Sequence, residues 1–82
     1  MSMRQDREIK INARGLSNPG PRLMVKSALA EQKCKRVRVV VSNVEAVEDL
    51  REYFSSLGAS VETDHIGADY HIFVELSSSD VG

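Results

Sequence analysis

Apolar and polar positions along this chain follow the patterns of four strands and two helices. The two kinds of residue alternate over residues 8–13 and 70–76, which is typical of strands with one buried face. Residues 36–42 begin with the same alternation and then carry three consecutive valines, which favours a central strand. Residues 59–63 are predicted to form a further strand, joined to the last one as a hairpin by a loop at 64–69.

The first predicted helix lies between the 8–13 and 36–42 strands. Asn18 is a favoured N-cap residue and Pro19 suits the first helical position, so the helix is expected to begin there. It should end near residue 32 or 33. The i, i+3, i+4 spacing assigns it an apolar face made of Pro21, Met24, Val25, Ala28 and Leu29.

The second predicted helix follows the strand at 36–42. Ser42 and Glu45 have the spacing of a capping box, and Gly58 is the expected C-cap. The solvent-facing side carries acidic residues, among them Asp49. The side expected to face the core comprises Val44, Val47, Leu50, Phe54 and Leu57.

The element order βαβαββ predicts an α/β fold of the α+β two-layer sandwich type. One mixed four-stranded sheet should carry both helices on one face, with right-handed crossovers. The folded domain is expected to span residues 8–76. Residues 1–7 are predicted to be a disordered lead, and residues 77–82 a polar tail or linker.

Composition narrows the function classes. Eighty-two residues suit one small domain, and the single cysteine, Cys34, excludes an internal disulfide. His65 is predicted to lie in a loop and His71 on a strand, and neither has the spacing of a metal site, so no metal or cofactor is expected. No apolar run approaches the ~20 residues of a membrane span. A cytoplasmic setting is expected because the chain is poor in cysteine.

Charge is distributed unevenly along the chain. Residues 1–40 hold ten Lys or Arg and three Asp or Glu, whereas residues 41–82 hold one and nine. Such a division is consistent with two solvated faces or with a docking surface for an acidic partner. A basic run also raises the alternative of RNA or polyanion binding, which the lack of interleaved aromatic residues disfavours. The run comprises Lys33, Lys35, Arg36 and Arg38.

One motif carries a family resemblance. Residues 14–21 are Arg-Gly-Leu-Ser-Asn-Pro-Gly-Pro, followed at 23–26 by Leu-Met-Val-Lys. This segment resembles the Cys-Pro-x-Pro signature of the TusA/SirA family of small sulfur carriers, whose fold is a βαβαββ sandwich. The resemblance extends over about residues 9–76. Val41-Ser42-Asn43, residues 54–58 and Asp69-Tyr70 look more like the TusA-like domain of the YedF proteins of selenium metabolism.

The same resemblance exposes two departures from the motif. In the family, the cysteine before the first proline carries a persulfide, which the amino end of a helix stabilises as an anion. Here that position is Asn18, and Asn12 replaces an aspartate that the family commonly has. The resemblance therefore implies a domain without a catalytic residue. Its role would be protein binding or regulation in sulfur or selenium metabolism.

The implied partners are a cysteine desulfurase or a sulfur-acceptor protein. The implied binding residues are Arg14, Asn18, Pro19, Pro21, Arg22 and Lys26. Two interpretations of Asn18 stay open, an N-cap alone or a group that helps the helix end hold an anion. A further alternative is an active sulfurtransferase that uses Cys34, which is sixteen residues along the chain and roughly 20 Å away across a helix. The oligomeric state is not predicted.

Overall fold

The computed structural model describes residues 8–31 and 34–76. The predicted lead and tail, and the predicted end of the first helix, lie outside these residues. The remaining element order is the predicted βαβαββ. The elements are β1 (Glu8–Asn12), α1 (Gly20–Glu31), β2 (Arg36–Val41), α2 (Val44–Ser56), β3 (Ser60–Ile66) and β4 (Asp69–Glu75).

The four strands form one mixed sheet in the order β1-β2-β4-β3. β1 pairs parallel with β2, while β4 pairs antiparallel with both β2 and β3. β4 therefore enters between β2 and β3, which leaves β1 and β3 as the two edge strands. This arrangement confirms the predicted fold class.

Both helices pack on the same face of this sheet. Val25 of α1 and Leu50 and Phe54 of α2 are fully buried and belong to one apolar cluster. The sheet contributes alternate residues of β2 and β4 to that cluster, because successive side chains of a strand point to opposite faces. The buried residues of these two strands are Val37, Val39, Val41, Ile72 and Val74.

The predicted loop at 64–69 is wrong, because β3 continues to Ile66 and pairs with Asp69. The hairpin turn is only Gly67 and Ala68, and Gly67 has a φ of +64°. A positive φ at the first central residue alone is the pattern of a type II′ turn. Edge strand β3 is largely exposed, so its second half lacks the alternation that marks a strand, and His65 lies on β3 and not in a loop.

Several helix predictions are also corrected. Met24, Val44 and Leu57 are 40%, 51% and 47% exposed and lie outside the core, whereas Ala46 is buried. Gly58 follows the last residues of α2 with a φ of +78°, and its N–H donates to the carbonyl of Ser55. The helix thus stops at this glycine as expected, but its C-cap is Leu57 and Gly58 is the residue after the cap.

The prediction of a capping box at the start of α2 is wrong. The N-cap is Asn43, whose Oδ1 accepts a 2.8 Å hydrogen bond from the amide of Ala46. Asn43 has extended backbone angles, as an N-cap residue requires. The hydroxyl of Ser42 instead accepts a hydrogen bond from a different part of the chain, described below.

Candidate functional site

The turn from β1 to α1, residues 13–19, carries the motif of the sequence. Its first part is held to β2: the amide of Ala13 donates to the carbonyl of Val40 at 2.8 Å. Gly15 has a φ of +82°, which a side chain would strain, and its N–H donates to Ser42 Oγ at 3.0 Å. The turn is therefore anchored both to the neighbouring strand and to the residue that follows it.

Asn12 holds the same turn from the other side. Its Oδ1 accepts a 3.1 Å hydrogen bond from the backbone N–H of Arg14. A carboxamide oxygen accepts such a bond as a carboxylate oxygen would, although without its charge. Asn12 therefore supplies an acceptor that an aspartate at this position could also supply.

Asn18 does not cap α1. The helix begins at Gly20, and its first i→i+4 bond runs from the amide of Leu23 to the carbonyl of Pro19, at 3.0 Å. Pro19 is thus at the N-cap position and Asn18 is one residue further out. No hydrogen bond of the Asn18 side chain is found among the described residues, so the predicted N-cap role is wrong.

Few backbone donors remain at this helix end. Pro21 has no N–H, and the amides of Gly20 and Leu23 donate to the carbonyls of Ser17 and Pro19. Among the first four helical residues, this leaves the amide of Arg22 without an acceptor in the described part of the chain. The position can offer one backbone N–H to an anion, fewer than an ordinary helix start provides.

The residues of the motif differ in accessibility. Asn18 and Pro19 are exposed, and the peptide bond between them is cis. Pro21 is fully buried, so it supports the helix and cannot touch a partner. Leu16 and Leu23 are 37% and 57% exposed and lie on either side of Asn18 in sequence. The accessible part of the motif thus combines an amide with apolar side chains.

Arg14 is paired with a carboxylate. Its Nη1 lies 3.1 Å from Oδ2 of Asp69, at the start of β4. Because the Arg14 side chain is 53% exposed, this ion pair is worth at most ~1 kcal/mol. The pair nevertheless joins the β1–α1 turn to the far hairpin and reduces the positive charge that Arg14 offers to an anion.

Arg22 is also paired, and more tightly. Its Nε and Nη2 donate to the two carboxylate oxygens of Asp49 at 3.2 and 2.6 Å, which is a bidentate fork between α1 and α2. These bonds, together with the charge of Asp49, raise the pKa of the Arg22 guanidinium above its ordinary value. The guanidinium also lies 5.9 Å from the ring centroid of Tyr53.

Lys26 is the remaining cation of the predicted site. It lies one turn after Arg22 and is exposed, with no ion pair in the described part of the chain. The structure thus separates the predicted binding residues, apart from the buried proline, into two groups. Arg14 and Arg22 hold secondary-structure elements together, whereas Asn18, Pro19 and Lys26 are free to meet a partner.

Sequence reasoning missed the partners of the two arginines and the anchor of the turn, which are Asp69, Asp49 and Ser42. The charge pattern offers a signal for the first two, since both aspartates lie in the acidic half of the chain and both arginines in the basic half. Nothing local in the sequence could pair them with arginines 27 or 55 positions away. The position of Ser42 before a helix predicts a cap and gives no sign of its bond to Gly15.

Cys34 lies at the opposite end of the sheet. It precedes β2, whose first residue Arg36 pairs with Glu8, while the β1–α1 turn follows the pairing of Asn12 with Val40. Cys34 is half-buried and packs against the core cluster. Its sulfur is therefore far from the motif and only partly accessible.

Residues 8–31 and 34–76 show little sign of a metal site, a histidine-based site or a membrane-spanning helix. No cluster of three or more histidine, cysteine or acidic side chains that could hold a metal ion occurs among them. His65 stacks on Tyr70 at 4.3 Å between ring centroids, and His71 lies on the sheet face away from the helices. No helix there is long and apolar enough to cross a membrane.

Comparisons with known proteins agree with the fold and the motif. The family model described as sulfurtransferase TusA matches residues 9–76. A solved structure, the SirA-like protein from Desulfitobacterium hafniense, superposes with a TM-score of 0.74 at 26% sequence identity. That match covers 82% of this chain and 95% of the other. A comparison with curated proteins gave no significant match.

Proposed function

This chain belongs to the sulfurtransferase TusA family, and we propose that it docks on sulfur-transfer proteins without carrying sulfur itself. The partner would be a cysteine desulfurase or a sulfur-acceptor protein of sulfur or selenium metabolism. By occupying the docking site of a carrier, the domain would regulate the relay. We place this role in the cytoplasm, where reducing conditions keep persulfides and thiols available.

The observation that carries the proposal is the combination of an anchored turn with the absence of a thiol at residue 18. Transfer of sulfane sulfur requires a thiolate on the receiving protein, which attacks the donor persulfide and displaces the donor thiolate. The exposed carboxamide of Asn18 cannot do this. Asn12, Gly15 and Ser42 hold the turn in place, which supports a fixed surface that a partner would meet.

The accessible groups define the docking surface. Lys26 contributes a positive charge that no described residue pairs with, and Leu16 and Leu23 contribute apolar area. Asn18, between them in sequence, can both donate and accept hydrogen bonds. A partner surface with carboxylates beside an apolar patch fits these groups, and its charge would speed association.

A persulfide-transfer assay tests whether the chain accepts and carries sulfur. The chain is incubated with an active cysteine desulfurase and cysteine, and the intact protein is weighed by mass spectrometry. We expect no added sulfur on the unaltered chain. The variant Asn18→Cys combined with Cys34→Ser should gain one sulfur atom, because residue 18 is exposed and a docked desulfurase would reach it.

The control variant Cys34→Ser separates the alternatives. A sulfur adduct on the unaltered chain that disappears in Cys34→Ser would assign carriage to Cys34 and overturn the proposal. Failure of Asn18→Cys to accept sulfur, in a variant with an unchanged circular dichroism spectrum, would instead remove the docking part of it.

Binding measured directly tests the docking surface. Lys26→Glu should weaken association with the desulfurase about tenfold or more at low salt, since a rim charge reverses. Arg51→Glu is the matched control, because Arg51 is exposed on α2 and makes the same change of charge. Arg22→Glu is unsuitable because it would also break the fork to Asp49. Equal affinities of the two variants would contradict the proposed surface.

A further inference from the structure

The face of the sheet opposite the helices is open in the described structure. Every second residue of each strand points to this face, and among them Lys10, Arg36, Glu62, Asp64 and Glu75 are exposed. No described element packs on it, since all the core residues of the sheet point towards α1 and α2. We call this surface the open face.

Charge is divided across the open face by strand. β1 and β2 place Lys10, Arg36 and Arg38 on it, with Glu8 as the single carboxylate. β3 and β4 contain carboxylates and no lysine or arginine. The strand order β1-β2-β4-β3 brings the two basic strands to one side and the two acidic strands to the other. The charge asymmetry of the sequence thus becomes an asymmetry across one surface.

Strand register aligns these residues in rows across the sheet. One row runs Lys10, Arg38, Phe73 and Glu62 from β1 to β3. The adjacent row contains Arg36 opposite Glu75. At the centre, the Arg38 guanidinium lies 5.0 Å from the ring centroid of Phe73, and both side chains are partly buried. The outer ends, Lys10 and Glu62, make no ion pair with any described residue.

We propose that the open face binds a second copy of this chain, related by a two-fold axis that lies between the two sheets and runs parallel to the strands. Such an axis exchanges the two sides of the face and keeps each row at its own level. Lys10 then meets Glu62 of the second copy, and Arg36 meets its Glu75. The two Arg38–Phe73 pairs meet at the centre.

The charge pattern selects this axis among the possible two-fold arrangements. An isologous interface uses the same patch twice, so the patch must complement itself. A two-fold axis perpendicular to the strands would place β1 on β1, with Lys10 facing Lys10 and Arg38 facing Arg38. Like charges brought together in this way are destabilising. The twist of each sheet turns the facing strands by about 30°, so halves of opposite sign still overlap.

The size of the face sets the strength of the association. Strands about 4.8 Å apart with about 3.4 Å per residue make a four-stranded face of roughly 20 by 20 Å. Each copy would bury about 400 Å², or roughly 800 Å² in total, which is below the range of stable dimers, so the association should be weak and reversible. Because the contacts are mainly charged, the dimer should weaken as salt screens them. This inference does not depend on the proposed function, which concerns the β1–α1 turn.

Analytical ultracentrifugation tests the proposal. The unaltered chain should form a dimer at low salt that dissociates between about 50 and 500 mM NaCl as the Debye length falls. Lys10→Glu should raise the dimer dissociation constant at least tenfold, because two attractive contacts become repulsive. Glu62→Lys should do the same. Arg51→Glu, on the exposed side of α2, is the matched control and should leave the constant unchanged.

Mixing the Lys10→Glu and Glu62→Lys variants is the decisive measurement. The mixed dimer contains two contacts between positions 10 and 62. One contact joins the carboxylate introduced at position 10 to the ammonium introduced at position 62, and the other joins the unaltered Lys10 to the unaltered Glu62. Both contacts are attractive, so the mixture should form a 1:1 dimer about as stable as the unaltered one.

Three results would overturn the proposal. The first is a monomer at all concentrations up to about 1 mM. The second is a dimer that ignores salt and both charge reversals. The third is a mixture of the two variants that stays monomeric.

Discussion

Two asparagines precede the two helices of this protein, and they behave differently. Asn43 is the N-cap of α2, with extended backbone angles and a 2.8 Å bond from the Ala46 amide to its Oδ1. Asn18 lies one residue outside the N-cap position of α1, is exposed, and makes no side-chain hydrogen bond with the described residues. The same residue type therefore stabilises one helix and leaves the other without a cap.

The two asparagines differ in whether the helix that follows needs a side-chain cap. Asn43 satisfies a backbone N–H that would otherwise be unpaired, so its contribution is to stability. At α1, two prolines and local backbone bonds already deal with most of the first amides. Asn18 is not needed for capping there, so its side chain stays available at the exposed surface of the sulfur-carrier motif.

Removing the two asparagines in turn gives the largest expected contrast. Asn43→Ala should lower the free energy of unfolding by about 1–2 kcal/mol, because the Ala46 amide loses its acceptor. Asn18→Ala is the matched substitution and should change it by less than about 0.5 kcal/mol, as at an ordinary surface position. Urea denaturation measures both. Equal losses would mean that Asn18 makes a stabilising contact in solution.

The link between the two helices should give a smaller effect. A double-mutant cycle on Arg22→Ala and Asp49→Ala should yield a favourable coupling that is smaller than the loss expected for Asn43→Ala, because solvent screens side chains that are 39% and 22% exposed. The coupling should fall in high salt. A cycle on Arg14 and Asp69, where Arg14 is more exposed, should give less. A zero coupling for Arg22 and Asp49 would contradict the bidentate geometry.

Ser42→Ala should give the smallest loss of stability and also separates the roles of Ser42 and Asn43. The hydroxyl accepts from Gly15 and does not cap α2, so the loss should be a few tenths of a kcal/mol to about 1 kcal/mol. Hydrogen exchange should become faster at the Gly15 amide and stay unchanged at the Ala46 amide. Asn43→Ala should produce the reverse pattern. Faster exchange at Ala46 in Ser42→Ala would restore the capping-box interpretation.

Much of the fold was predictable because its signals are local. The valines of β2 and the alternation of β4 report burial directly, since a half-buried strand needs an apolar residue at every second position. The exposed edge strand β3 has no such need beyond Val61, so the pattern of its second half does not indicate a strand. Similarly, Met24 and Val44 have helical spacing without being buried.

The candidate site was predictable only as a motif. The sequence locates Gly15, Asn18 and the two prolines, and the resemblance shows which atom is missing. It does not show that Arg14 and Arg22 are engaged by Asp69 and Asp49, because those pairs join residues distant in sequence. Without these contacts, all the cations of the motif looked equally available to a ligand.

By itself, the sequence determined the element order, the fold class, the family motif and the absence of sulfur at residue 18. Each follows from short-range patterns or from residue identity. The tertiary structure decided which asparagine caps a helix, which cations stay free, and how β4 inserts between β2 and β3 to divide charge across the open face. These depend on the register of strands and the packing of helices, which bring together side chains that no local pattern connects.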